Sequence, residues 1–209
     1  MKKIYALIVL VVLTVSAISV RAQVSTGVDL YSSYVWRGAK FGNGPAIQPY
    51  VDYSKGGFSV GAWGSVCASD DEGFEMDLYA SYGFDFGLSV AVTDYYFGGE
   101  DGFLGGTNHF FEPSLSFETG DLSIMGAYMI GDGIADAYAE IGYSLGSVDL
   151  FAGAGNGQYT KDGGFMLCNV GVGTSKEVKI TEDFSLPVSG SVILNPSTGG
   201  FFIVVGISL

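Results

Sequence analysis

The sequence predicts an all-β fold, an up-and-down antiparallel transmembrane β-barrel of 12 strands. Three observations carry that expectation. Stretches of about ten residues alternate apolar and polar side chains and are parted by turn-rich breaks. The breaks themselves alternate between compact turns and longer, more acidic loops. The composition is also wrong for a helical or disordered chain: of 209 residues 33 are Gly, 14% are aromatic and only 15% are charged. Glycine in a helix interior costs about 1 kcal/mol relative to Ala. Disordered chains have few aromatics and many charges.

Residues 1–22 are read as a secretory signal peptide and set aside from the fold. Lys2 and Lys3 precede an apolar run from Ile4 to Val20, and Val20-Arg21-Ala22 supplies a small-x-small exit before Gln23. A membrane anchor is the alternative, because the run reaches the short limit for a spanning helix. Cleavage is favoured by the β-rich sequence that follows at once. Residues 23–209 then form a single barrel domain with six bases against 22 acids. No basic patch exists, which excludes the electrostatic footprint of a nucleic-acid binder.

In order, the alternating stretches are 24–37, 45–54, 58–67, 74–84, 88–97, 108–118, 122–130, 134–143, 147–155, 165–174, 184–194 and 200–209. The first is read as one long strand carrying Asp29 and Arg37 on its polar side. In the second, Ile47, Pro49, Val51 and Tyr53 oppose Gln48, Asp52 and Ser54. In the fourth, Met76, Leu78, Ala80 and Tyr82 oppose Glu75, Asp77, Tyr79 and Ser81. In the eighth, Ala137, Ala139, Ile141 and Tyr143 oppose Asp136, Tyr138 and Glu140. The last places Phe201, Ile203, Val205, Ile207 and Leu209 on one face. Residues 175–183 are too long for a simple turn and receive no register, and Asp94 falls on the apolar face.

A period of two also fits a soluble sandwich with its apolar face inward. Three features favour a barrel with the apolar face outward. Compact turns at 55–57, 85–87, 119–121 and 144–146 alternate with longer connections at 68–73, 98–107 and 156–164. Aromatic residues gather at strand ends (Tyr34 and Trp36, Tyr82 and Phe84, Tyr95 to Phe97, Phe110 and Phe111), as interfacial girdles require. The final strand can pair with the first and leave no edge open in lipid. It resembles the closing strand of outer-membrane barrels, with Leu209 where an aromatic residue is usual.

The first hairpin carries a family resemblance. Ser33-Tyr34-Val35-Trp36-Arg37-Gly38, followed by Gly44-Pro45-Ala46-Ile47-Gln48-Pro49, resembles the S-x-Y-x-aromatic-R-G opening of the TorF-type porin family. Thr93-Asp94-Tyr95-Tyr96-Phe97 and Tyr138-Ala139-Glu140-Ile141-Gly142-Tyr143 are similar to its later strands. The resemblance implies export through a cleaved signal peptide to the cell outer membrane and, at one remove, a channel role. That family brings no catalytic residues.

On the assigned phase the lumen-facing charges are Asp29, Arg37, Asp52, Glu75, Asp77, Glu112, Asp136, Glu140 and Asp149. Eight carboxylates against one guanidinium would raise the local cation concentration. The plainer reading is that these groups satisfy one another through Tyr hydroxyls, Arg37 and water. Tyr31, Tyr50, Trp63, Tyr79, Tyr95, Tyr138 and Phe151 share the face and would narrow any pore. His109 is the single histidine and is expected to be a hydrogen-bonded structural residue, so no catalytic residue and no enzymatic activity are expected. Zinc spacing of His and Cys is missing, Asp70-Asp71-Glu72 lacks an EF-hand pattern, and no cofactor or metal is expected. Cys67 points inward and Cys168 outward by phase, so two thiols are expected rather than a disulfide. Asn169 is expected to hydrogen-bond in the lumen and Asn195-Pro196 to form a turn.

Three functions remain open at this level. The leading one is a porin-like barrel that contacts membrane lipid and passes small cations or polar solutes. The second is a closed, non-conducting barrel with a structural or surface-binding role. The third is a secreted soluble β-sandwich.

Overall fold

The computed structural model describes residues 23–68, 74–100 and 102–209. The leader 1–22 and the acidic run 70–72 lie outside the described residues. Fourteen strands follow in chain order: β1 Gln23–Tyr31, β2 Tyr34–Trp36, β3 Ala39–Phe41, β4 Ala46–Lys55, β5 Phe58–Cys67, β6 Glu75–Gly83, β7 Leu88–Tyr96, β8 His109–Thr119, β9 Leu122–Gly131, β10 Ile134–Ser144, β11 Asp149–Gly157, β12 Gly163–Lys179, β13 Ser185–Asn195 and β14 Gly200–Ser208. Strands β1 and β4–β14 form a closed antiparallel barrel of 12, and β2 with β3 forms a separate two-stranded ribbon. Closure is made by Asp29, Leu30 and Tyr31 opposite Ser208, Ile207 and Gly206. Mutual backbone hydrogen bonds of 3.0 Å between Val28 and Leu209 extend the seam.

The outside is apolar. Val51, Ile124, Phe201 and Ile203 are 44%, 47%, 61% and 65% exposed, whereas Gln48, Ser65, Glu75 and Glu112 are 5% exposed or less. That inverted arrangement is the one a strand-built membrane protein needs, since every backbone group is paired within the wall and the apolar side chains meet lipid. A sandwich, with its apolar faces packed together, is ruled out.

Part of the glycine excess has a spatial cause. Inside the barrel, rings lie flat over the glycines opposite them in the ladder: Tyr50 over Gly27, Tyr79 over Gly61, Tyr31 over Gly206 and Phe151 over Gly171. A Cβ at any of these glycines would run into the ring. Small residues thus let large ones cover the inner wall without filling the lumen.

Three sequence expectations are corrected. The stretch 24–37 is not one strand: the wall ends at Tyr31, and Tyr34–Phe41 turns back inside as the β2–β3 ribbon. The unassigned 175–183 segment is largely strand, because β12 runs on to Lys179 opposite Ser185 of β13. Cys168 does not point outward. Gly153 pairs with Asn169 and the next residue, Ala154, with Leu167, so Cys168 is an extra residue in a β-bulge. The bulge turns it inward, where it is 0% exposed and packs with Tyr138 and Tyr159.

Candidate functional site: a hairpin inside the barrel

Arg37 and Gly38 form the two-residue turn of the inner ribbon, with φ of 50° and 79°. Positive φ at both central residues is the type I′ geometry that suits a tight hairpin. At Gly38 it is free of cost, and a Cβ there would strike the Cys168 carbonyl on the far wall. At Arg37 it is a strained conformation, of the kind that persists only where the surroundings fix the residue.

The surroundings do fix it. The guanidinium grips Glu112 of β8 with both prongs, Nη1 to Oε2 at 2.6 Å and Nη2 to Oε1 at 2.8 Å. Nη1 also donates to the Tyr159 hydroxyl at 2.8 Å. Its central carbon lies 4.3 Å from the ring centroids of Trp36 and Tyr138 and 5.5 Å from that of Tyr159. The two charged side chains are 8% and 4% exposed. Tyr95 donates to the same carboxylate at 3.2 Å. Burial pushes the Tyr159 hydroxyl up to about 12, so it stays protonated.

The ribbon meets the wall around much of its circumference. Tyr34 packs on Trp63 of β5 at 5.6 Å, Trp36 on Tyr95 of β7 at 5.5 Å, and Phe41 stacks on Phe97 at 6.4 Å. Cys67 donates to the Phe41 carbonyl at 3.5 Å. On the opposite side, Asn195 of β13 donates to the carbonyls of Gly38 at 3.2 Å and Tyr159 at 3.3 Å. Cys67 and Cys168 therefore face the ribbon from opposite sides, and no disulfide joins them. The ribbon crosses the lumen at the end that carries the long connections. Toward the turn end the interior is hollow, with cavities of about 280 and 340 Å³ that both touch Tyr31, Ser191 and Val204.

The predicted lumen charges are distributed unevenly around this plug. Arg37 is in the lumen, but at a hairpin tip rather than on the wall. Glu112 is its partner. Glu140 accepts from Tyr138 and, at 2.8 Å, from Asn169, whose lumen role matches expectation. Asp136 accepts the backbone N–H of Gln158 at 3.0 Å and so holds the inward-folded loop that brings Tyr159. Asp52 accepts from Tyr79 at 2.5 Å. Asp29 lies at the closing seam beside Tyr31, and Asp149 sits on the turn-end rim, accepting from Ser144 at 2.5 Å. Glu75 and Asp77 are buried next to the ribbon without a base.

Sequence reading missed Tyr159 and the inward role of Asn195, which also caps the turn to Ser197 and Thr198. It also placed Tyr34 and Trp36 in a membrane girdle, whereas they belong to the inner ribbon, and Tyr95 faces the lumen beneath them, as its strand phase predicts; Tyr82, Phe84 and Phe111 are exterior rings. The expectation from sequence that no nucleophile elbow occurs is also corrected, because Gly57-Phe58-Ser59-Val60-Gly61 has that spacing. Ser59 lies in the wall, between strand partners Ser54 and Ser81, and shares a 2.9 Å hydrogen bond with Ser54. His109 and Asp94 are joined on the outer face at 2.8 Å, which accounts for the acid on the apolar side.

Residues 17–131, more than half of the chain, match the family model described as a bacterial protein of unknown function, Gcw_chp. The chain belongs to the Gcw_chp family. The match takes in the plug ribbon and Glu112, and so the ion pair at the heart of this Gcw_chp barrel. No curated protein of similar sequence was found. Among solved structures, a substituted porin of Rhodopseudomonas blastica is similar at a TM-score of 0.42 and 16% identity, and a second substituted form at 0.41 and 15%. Each comparison covers 78% of this chain and 55% of the porin, so the Gcw_chp chain spans about half the length of those porins.

Proposed function

We propose that this protein is an outer-membrane barrel of porin-like architecture held closed by its own β2–β3 ribbon. The observation that carries the reading is the ribbon itself, set across the lumen and fastened by the buried Arg37–Glu112 pair. Arg37 neutralises the acid nearest to it, and stacked rings exclude water around the pair. The apolar outer wall and the resemblance of Ser33–Gly38 to the opening of TorF-type porins support an outer-membrane location after cleavage of residues 1–22. No catalytic role is assigned.

A second reading, passage of small cations or polar solutes, is favoured by the hollow turn-end half. That half keeps Asp29, Asp52 and Asp149 on its walls with no base among them, so a displaced ribbon would leave an acidic conduit. Planar-bilayer recording of the refolded 23–209 chain tests the choice. Closure predicts a silent membrane with rare, brief openings. A large steady conductance would favour the second reading, and recovery of the protein from periplasm without detergent would contradict both.

A further inference from the structure

Glu75 and Asp77 alternate on β6 and share its inner face, 3% and 7% exposed. Among the described residues, Glu75 Oε2 and Asp77 Oδ1 are buried and have no hydrogen-bond partner. The groups around them bring no positive charge. Ser65 and Trp63 stand opposite them on β5, Tyr95 opposite Asp77 on β7, and Tyr34 of the ribbon lies against Glu75. Glu112 and Asp94 add negative charge near Asp77. Arg37 has both prongs on Glu112. Lys40, Lys55, Lys161, Lys176 and Lys179 are all exposed.

Two neighbouring carboxylates in a water-poor interior, each with an unfilled acceptor, are a costly arrangement unless a positive charge joins them. We propose that Glu75 and Asp77 form a cation-binding site under the ribbon that takes a hard, partly hydrated divalent ion of the Ca²⁺ type. Carboxylate oxygens suit such an ion. Among the described residues no three His, Cys, Asp or Glu groups converge as a metal cluster. Two carboxylates therefore supply the charge, and water with the Tyr34 and Ser65 hydroxyls completes the shell. This donor set is wrong for zinc, which prefers His and Cys. Tyr34 and Gln48, whose amide donates to the Ser65 hydroxyl at 3.3 Å, also line the 280 Å³ cavity on the hollow side. The site deepens the closed-barrel reading but does not depend on it, because the two carboxylates face the interior whether or not the barrel conducts.

Terbium luminescence tests the proposal on the refolded 23–209 chain in detergent, with Tb³⁺ as the probe and Trp63 and Tyr34 as the sensitising rings. A saturable signal is expected, displaced by Ca²⁺ at about 10⁻⁴–10⁻³ M, the range of weak oxygen sites. Glu75→Gln, and Glu75→Gln with Asp77→Asn, should weaken it at least tenfold. Replacing Asp70, Asp71 and Glu72 by their amides should leave it intact. Should the double variant fail to fold, the wild-type thermal midpoint gives an independent readout. It should rise with Ca²⁺ and stay unchanged with K⁺ at equal ionic strength. Loss of the signal only in the 70–72 variant would place the ion on the loop and overturn the proposal. So would a wild-type protein with neither a saturable signal nor a Ca²⁺-dependent midpoint, in which the pair shares a proton instead. Conductance is not a readout here, so failure of this site and failure of the closed-barrel reading are separately visible.

Discussion

Arg37 and Glu112 stand 75 positions apart in the chain and meet in a two-pronged ion pair inside the barrel, at 2.6 and 2.8 Å. One comes from the tip of an inner hairpin and the other from the wall, so the contact fastens the ribbon to the barrel. Removing one partner leaves the other charge buried and unpaired, a loss of about 3–5 kcal/mol in comparable pairs. Arg37→Ala should therefore lower the urea midpoint of the refolded protein markedly. Arg37→Met combined with Glu112→Leu should recover part of the loss, because neither charge is then stranded.

The inside-out assignment is tested at adjacent residues of β4. Val51→Arg puts a charge on the lipid face and should cost about 2–4 kcal/mol near mid-membrane. Asp52→Asn keeps an acceptor for the Tyr79 hydroxyl and should cost about 1 kcal/mol or less. Folding titrations in lipid vesicles should show that order.

The ring-over-glycine joints make a steric prediction. In Gly171→Val the new side chain meets Phe151 and the Val192 carbonyl, and overpacking of this kind costs about 1–3 kcal/mol. At Gly164, where a Cβ meets nothing within 4 Å, the same substitution should be close to neutral. Thermal unfolding of the two variants makes the comparison.

His109 should make the 98–108 connection pH-sensitive. Its Nδ1 faces the Asp94 carboxylate at 2.8 Å and its Nε2 the Phe103 carbonyl at 2.8 Å. Both partners are acceptors, an arrangement that favours a ring with both nitrogens protonated. The folded arrangement favours the charged form, so its stabilisation is present at low pH and is lost as pH rises and the ring gives up its proton. Limited proteolysis near Leu104, which is 96% exposed, should quicken with rising pH. His109→Ala should be cut fast at every pH.

The wall was legible because one physical rule governs it: a strand between lipid and lumen must alternate, and outside the Cys168 bulge the wall stretches did. The plug was not, because alternation continues through Tyr34 and Trp36 and cannot report that the chain has turned inward. A signal was present in Tyr34-Val35-Trp36 and Ala39-Lys40-Phe41 flanking Arg37-Gly38, two short alternating runs about a two-residue turn. The bulge at Cys168 left no such mark, since one inserted residue shifts the phase while both flanks still read as strand. Phase assigns the acids to the polar side of each strand, but it cannot name their partners. Tyr159 and Asn195 reach Arg37 and Gly38 through a loop and a strand end, where no period applies.

Closure by the ribbon is the central claim, and the most direct measurement replaces 34–41 with a short Gly-Ser linker and compares single-channel conductance with the intact chain. The account predicts that excision opens a steady pore through the hollow half, with cation preference that is strongest in dilute salt, where the Debye length is about 30 Å at 0.01 M against about 3 Å at 1 M. Equal conductance in the two proteins, whether both are silent or both are open, would contradict it.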